Sequence, residues 1–335
     1  MEGADCIGRA ASSPHVSDDN ERQVQNAGTE AVRGRTAGQR VQNGIFADPT
    51  MHTTLISVQE LMTQRAVSSP QSLLVVDCRF DLAAPAAGER AYQAGHIPQA
   101  VYAHLDRDLS APITPDSGRH PLPPPQRFAA TLSAWGLTPR TQVVAYDADN
   151  GAYAARLWWL LRWALHDAVA VLDGGFKAWI AGGGEVATAV PRREPTRIQF
   201  VPRTELALST AEVAERVTRS DWRLIDARAA ERFAGKVEPI DRVAGHVPGA
   251  RNHPFPTSLG ADSKFLAPEE LRARFERSQD GVADDRTIAM CGSGVTACHL
   301  LLALEHAGKH GARLYTGSWS EWIRDPQRAI ATGPT

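Results

Sequence analysis

Cysteine is scarce in this chain. Four occur in 335 residues, at Cys6, Cys78, Cys291 and Cys298. No two form a Cys-x-x-Cys pair and none shows metal-ligand spacing, which argues against a disulfide framework as the organising device. The expected setting is a reducing, cytoplasmic compartment with one working thiol. An excess of charge of either sign is also missing. Lys plus Arg number 36 and Asp plus Glu 38, a formal net charge of -2, which argues against nucleic acid or a membrane surface as partner. No apolar run is long enough to span a bilayer. The N-terminus has no basic segment followed by an apolar one, so no secretory signal is expected. What remains is 43% hydrophobic and 22% charged: a soluble globular protein, long enough for two domains.

Residues 1–50 are rich in Gly, Ala, Ser, Asn, Gln and Arg and poor in large apolar side chains. They read as a disordered tail, or as sequence upstream of a natural start at Met51. From there the chain repeats itself once. Ser57-x-x-Glu60 and Ser209-x-x-Glu212 each open an apolar helical pattern as a capping box. Leu74-Val75-Val76-Asp77-Cys78-Arg79 is echoed by Arg223-Leu224-Ile225-Asp226-Ala227-Arg228, both buried strands ending in an acid and a base. Ala94-Gly95-His96-Ile97-Pro98 is echoed by Ala244-Gly245-His246-Val247-Pro248. Gly175-Phe176-Lys177-Ala178-Trp179 is matched by Ser318-Trp319-Ser320-Glu321-Trp322. An offset of roughly 145–150 residues marks a duplicated domain rather than a solenoid unit.

Within each copy, short apolar strands alternate with helical stretches. The expected fold class is α/β, with two tandem domains, each a mainly parallel sheet flanked by helices. The expected boundaries are 51–188 and 204–335, joined by a polar, proline-bearing linker over 189–203.

One cysteine stands in a special context. The apolar strand Thr287-Ile288-Ala289-Met290 runs into Cys291-Gly292-Ser293-Gly294-Val295-Thr296-Ala297, and a helical pattern follows from Val295 to His306. The glycines permit positive φ, so the loop can turn several N–H groups onto one sulfur, and the helix adds its positive end. Together these favour a thiolate nucleophile at Cys291. The first copy lacks it: aligning Gly151 with Gly294 puts Ala148 opposite Cys291. A single active centre at the face between the copies is therefore expected. His96 and His246 recur in both copies, including the one without the thiol, which points to a structural role in the turn. Asp77 and Asp226 are expected to hold loop backbone or a neighbouring arginine, Cys78 and Cys298 to pack, and Trp158, Trp159 and Trp163 to pack in a core or interface.

The tandem boxes, Asp-x-Arg strand ends, paired Gly-x-x-x-Trp segments and Cys-Gly-Ser-Gly-Val-Thr-Ala loop resemble the two-domain rhodanese superfamily over about residues 51–330. Within it, the loop is similar to that of 3-mercaptopyruvate sulfurtransferases. The resemblance implies two rhodanese-like domains, the second catalytic. It implies transfer of sulfane sulfur through a covalent persulfide on Cys291, release of pyruvate, and neither metal nor organic cofactor. It assigns the backbone cradle to Gly292, Ser293, Gly294, Val295 and Thr296, and the substrate carboxylate to Arg232. A second arginine follows Glu-Pro in some members; here Ile240 stands there, and Arg242 is the nearby substitute. The resemblance further groups Asp106 and His120 of the first domain with Ser293, a triad-like relay. It implies cyanide, a small thiol or a reduced thioredoxin-like protein as sulfur acceptor.

Three rivals are weighed. Thiosulfate as donor would favour basic residues after the cysteine, whereas Gly292 and Ser293 are neutral. A cysteine phosphatase requires an arginine six residues after the nucleophile, where this chain has Ala297. A non-catalytic sulfur carrier or protein-binding module suits the first copy better than the second, whose loop is intact.

Overall fold

The computed structural model describes residues 51–334, so the tail expected over residues 1–50 lies outside the described residues. Each copy builds a five-stranded parallel sheet. The first contains β1 (Leu55–Ile56), β2 (Leu73–Asp77), β3 (Val101–Tyr102), β4 (Gln142–Tyr146) and β5 (Val169–Leu172), in the order β1-β5-β4-β2-β3. The second contains β6 (Ala207–Leu208), β7 (Arg223–Asp226), β8 (Arg251–Asn252), β9 (Thr287–Met290) and β10 (Arg313–Tyr315), in the matching order β6-β10-β9-β7-β8. β2, β4, β5 and β9 are buried along their whole lengths. That is why they read as continuous apolar runs and not as alternating ones.

The repeated motifs do the same work twice. Ser57 and Ser209 close complete capping boxes with Glu60 and Glu212. Arg79 donates to Asp77 and reaches on to the Gly95 carbonyl; Arg228 does the same with Asp226 and Gly245. Both pairs are buried, and each ties the end of a central strand to the Gly-His turn. His96 and His246 exchange backbone hydrogen bonds with Ala187 and Ala331 and turn Nδ1 to the carbonyls of Tyr92 and Phe233. Both histidines are therefore structural members of their turns.

The halves are not merely strung together. The helices Ala154–Trp163 and Thr296–His306 pack against each other, and one apolar cluster runs from Leu74 and Val143 through Trp158 and Leu161 to Leu300 and Leu304. Trp158, Trp159 and Trp163 all lie inside it. The described residues form one compact body in which burial of both helices fixes one half against the other.

In the second sheet the chain leaves β7 for the edge strand β8, then returns to β9 on the other side of β7. Connections diverge between β7 and β9, and a crevice opens beyond their carboxyl ends, where open parallel sheets bind ligands. Arg228 follows β7 there, and Cys291 follows β9.

The two Gly-His turns differ at one position. Gly249 sits at φ 82° and its counterpart Gln99 at φ 68°, a left-handed conformation that costs a side-chain-bearing residue about 1 kcal/mol. Gln99 is exposed and touches nothing that depends on its amide. Replacement of Gln99 by Gly is expected to raise the unfolding free energy by about 0.5–1 kcal/mol, read from the urea midpoint at unchanged slope.

Candidate active site

Cys291 lies at the floor of a cleft of about 490 Å³ lined by both halves. A roomier groove, about 830 Å³, runs past His52, Gln64 and Arg140 on the first half but contains no cysteine. The Cys291 side chain is buried. Its sulfur accepts from the Gly294 N–H at 3.1 Å and the Ser293 N–H at 3.4 Å. The expected cradle is therefore narrower than the loop. Gly292, Val295 and Thr296 line the cleft, and among the described residues no amide of theirs is hydrogen-bonded to the sulfur.

The loop owes its shape to close approach. Gly294 has φ 80°, and a Cβ there would lie 2.7 Å from the Thr316 carbonyl oxygen, so both the torsion and the space require glycine. The segment after β10 braces the other side. Ser318 Oγ accepts from the Cys291 N–H, and the N–H groups of Trp319 and Ser320 donate to the carbonyls of Cys291 and Gly292. The helix Thr296–His306 begins immediately after the loop. No side chain caps its N-terminus, which leaves its positive end directed at the loop.

The first half supplies the rest. His120 Nδ1 lies 2.7 Å from Ser293 Oγ, and its Nε2 lies 3.3 Å from Asp106 Oδ1. Ser293, His120 and Asp106 are thus brought together across the two halves. Burial, with Arg156 and Arg119 nearby, pushes the His120 pKa down to about 3, so the ring is neutral near neutral pH. A carboxylate can only accept, which assigns the ring proton to Nε2 and leaves Nδ1 to accept from the serine hydroxyl. Cys298, in the first turn of the following helix, donates its S–H to the Gly294 carbonyl at 3.3 Å, and burial pushes its pKa up to about 12. It stays a thiol and packs.

The arginines divide differently from expectation. Arg232 lines the cleft, its guanidinium held by Glu238 and Asp241. Arg242 does not line it. Its guanidinium donates to the backbone carbonyls of Ile323 and Arg324 and is committed to that chain end, which corrects its assignment to substrate. The second cleft arginine is Arg119, from the first half, salt-bridged to Asp241 at 2.5 Å. Its sequence signal was adjacency to His120, since one loop delivers both.

Arg156 was also missed. It is fully buried, and within the apolar helix Ala154–Trp163 it donates to the carbonyls of Leu109, His120 and Gly294. One guanidinium thus pins the His120 loop to the Cys291 loop. Burial lowers its pKa, while Cys298 and Cys291 oppose that shift. An arginine in the first turn of a mostly apolar stretch, one of two there with Arg162, was the only sequence cue.

Two outcomes follow. Replacement of Arg156 by Leu leaves the buried Leu109 and His120 carbonyls unpaired and the Gly294 carbonyl with only the weak Cys298 S–H donor, and is expected to cost about 3 kcal/mol of stability, measured by urea unfolding. His120 ionises at a folded pKa far below the ordinary 6.5. Its contribution to stability is complete above pH 6.5 and is lost as pH falls toward the folded value. His299, at about 3, and His253, at about 4, act in the same direction. Urea titrations from pH 6.5 down to about 4 should show a shallower loss of stability in His120→Asn than in the unsubstituted protein.

The rhodanese-like domain model matches residues 57–182 and 209–325. The chain is 49% identical over 281 residues to a Pseudomonas aeruginosa protein named "Probable 3-mercaptopyruvate sulfurtransferase", covering 83% of this chain and 98% of that one. It is 32% identical over 293 residues to the thiosulfate sulfurtransferase of Cricetulus griseus, covering 84% and 97%. The solved 3-mercaptopyruvate sulfurtransferase from Leishmania major superimposes with a TM-score of 0.71 at 30% identity, covering 84% of this chain and 77% of that structure. Two copies of one domain, a shared sheet order and a single cysteine loop at the cleft place this chain in the rhodanese family, as a two-domain member.

Proposed function

We propose that this protein is a 3-mercaptopyruvate sulfurtransferase that carries sulfur as a persulfide on Cys291 and releases pyruvate. The observation that carries the reading is the juxtaposition, in one cleft, of a buried sulfur facing two amides and a guanidinium pair beside Gly292. The donor needs both: a nucleophile for its sulfur and a cationic fork for its carboxylate.

The ionised Cys291 sulfur attacks the donor sulfur, and the carbon–sulfur bond breaks toward carbon, leaving the enolate of pyruvate. The donor thiol's proton passes to the enolate carbon. The products are the Cys291 persulfide anion and pyruvate, so atoms and charge balance. Ser293 and neutral His120 form the path for that proton, and Asp106 orients the ring. The Ser293 and Gly294 amides serve the sulfur anion before and after transfer. Arg232 orients the carboxylate. A thiol, cyanide or a thioredoxin-like protein then removes the outer sulfur.

Thiosulfate is the slower second donor in this reading, since Gly292 and Ser293 add no charge beside the sulfur. No helix among the described residues is long and apolar enough to cross a membrane. Cys78, Cys291 and Cys298 are free thiols, which supports a reducing, cytoplasmic setting.

The test is a donor comparison joined to intact mass. Addition of mercaptopyruvate should add one sulfur atom to the protein and none to Cys291→Ser, which should also make no pyruvate. Arg232→Ala should lower kcat/KM for mercaptopyruvate roughly fiftyfold, the worth of a charge-assisted pair, and that for thiosulfate much less. A higher kcat/KM for thiosulfate in the unsubstituted protein would sink the reading. Sulfur loading without repeated pyruvate release would make the protein a carrier.

A further inference from the structure

The arginines at the cleft are already occupied by a carboxylate of the chain itself. Arg119 Nη1 lies 2.5 Å from Asp241 Oδ1, and Arg232 Nη2 lies 3.1 Å from Asp241 Oδ2. One carboxylate therefore bridges a guanidinium from each half. The three groups meet over the residue that follows the nucleophile. A Cβ built on Gly292 would lie 3.0 Å from Arg119 Nη2 and 3.6 Å from both Arg232 Nη2 and Asp241 Oδ2.

Asp241 is delivered there by the turn before it. Glu238 Oε1 accepts from the N–H groups of Ile240 and Asp241, each at 3.1 Å, while the same carboxylate holds Arg232. The Asp241 side chain is only 5% exposed. Charges in this cluster cancel: Arg119, Arg228 and Arg232 face Asp226, Glu238 and Asp241. An arriving anion meets a neutralised site and must take a guanidinium from an existing partner. Asp241 is the partner that can be exchanged, because Glu238 also pairs with Arg228 and holds two amides. Arg119 keeps a buried Nε with no hydrogen-bond partner, a donor left over for a second carboxylate.

We infer that Asp241 is an internal counter-anion for the Arg119–Arg232 pair, exchanged for the donor's carboxylate on binding, and that it is a specificity-determining residue. Arg119 is then the second carboxylate-binding arginine, supplied from the first half where the second half has Ile240. A planar, singly charged carboxylate at a fixed reach from its sulfur replaces Asp241 like for like. A compact dianion such as thiosulfate is repelled by Asp241 twice as strongly and cannot match the fork while its sulfur reaches Cys291. The inference rests on the reading of Arg232 as the carboxylate site.

The experiment compares Asp241→Asn, Arg119→Met and Arg232→Ala with the unsubstituted full chain, using mercaptopyruvate and thiosulfate as donors and pyruvate as inhibitor. Asp241→Asn should lower KM for mercaptopyruvate and Ki for pyruvate about tenfold, the scale of one charge-assisted hydrogen bond. It should raise kcat/KM for thiosulfate by more than that for mercaptopyruvate, shifting the donor ratio. Arg119→Met should raise the mercaptopyruvate KM about tenfold and the thiosulfate KM less. A folded Asp241→Asn protein with a raised mercaptopyruvate KM, or with an unchanged donor ratio, overturns the inference, since Asp241 would then hold the arginines in their binding pose. If the Asn variant does not fold, Asp241→Ser is read by the same criteria. Arg232→Ala separates the two claims. An unchanged mercaptopyruvate KM there defeats the carboxylate-site reading itself, while a raised KM beside an unresponsive Asp241→Asn defeats only the exchange.

Discussion

One sulfur must sit buried at the floor of a cleft between two halves and still face the opening, and the arrangement of this molecule follows from that constraint. Around it lie the Ser293 and Gly294 amides, the uncapped start of the Thr296–His306 helix and the Arg156 guanidinium, which donates to the Gly294 carbonyl. They surround the sulfur only while the loop keeps its shape. Gly294 makes that shape possible, and the Ser318–Ser320 segment braces it through the Ser318 hydroxyl and two backbone N–H groups.

The first half makes the same structure and uses it for something else. There the loop after β4 is filled by Asp147, whose carboxylate accepts from the N–H groups of Gly151, Tyr153 and Ala154. The N–H groups of Phe176 and Lys177 brace Asp147 and Ala148, as those of Trp319 and Ser320 brace Cys291 and Gly292, so Asp147 and not the expected Ala148 stands opposite Cys291. The duplicated scaffold thus consumes its own amides where it has no thiol to serve. This half contributes Arg119 and His120 to the cleft, with Asp106 against the His120 ring and Arg156 pinning the His120 loop from behind. The shared core between the two packed helices holds those side chains in register with the cysteine loop.

Much of this was legible in the chain, for local reasons. Capping boxes at Ser57 and Ser209, Asp-x-Arg strand ends and the Cys291 loop are short-range patterns in which neighbouring residues carry both sequence signal and geometry. The relay of Ser293, His120 and Asp106 came from resemblance, since no spacing in the chain connects residues 106 and 120 to residue 293. The arginines went furthest astray. Arg242 is close in sequence to Arg232 yet turns to the carbonyls of Ile323 and Arg324. Arg119 lies more than a hundred residues away and shares Asp241 with Arg232.

The amino-acid sequence by itself determined the repeated α/β architecture and the tight glycine loop around Cys291, because hydrophobic period, capping and glycine torsion act over a few residues. Tertiary structure decided which charges surround the sulfur. A guanidinium can reach any of several partners, and only the packing of one half on the other settles which carboxylate or carbonyl it meets.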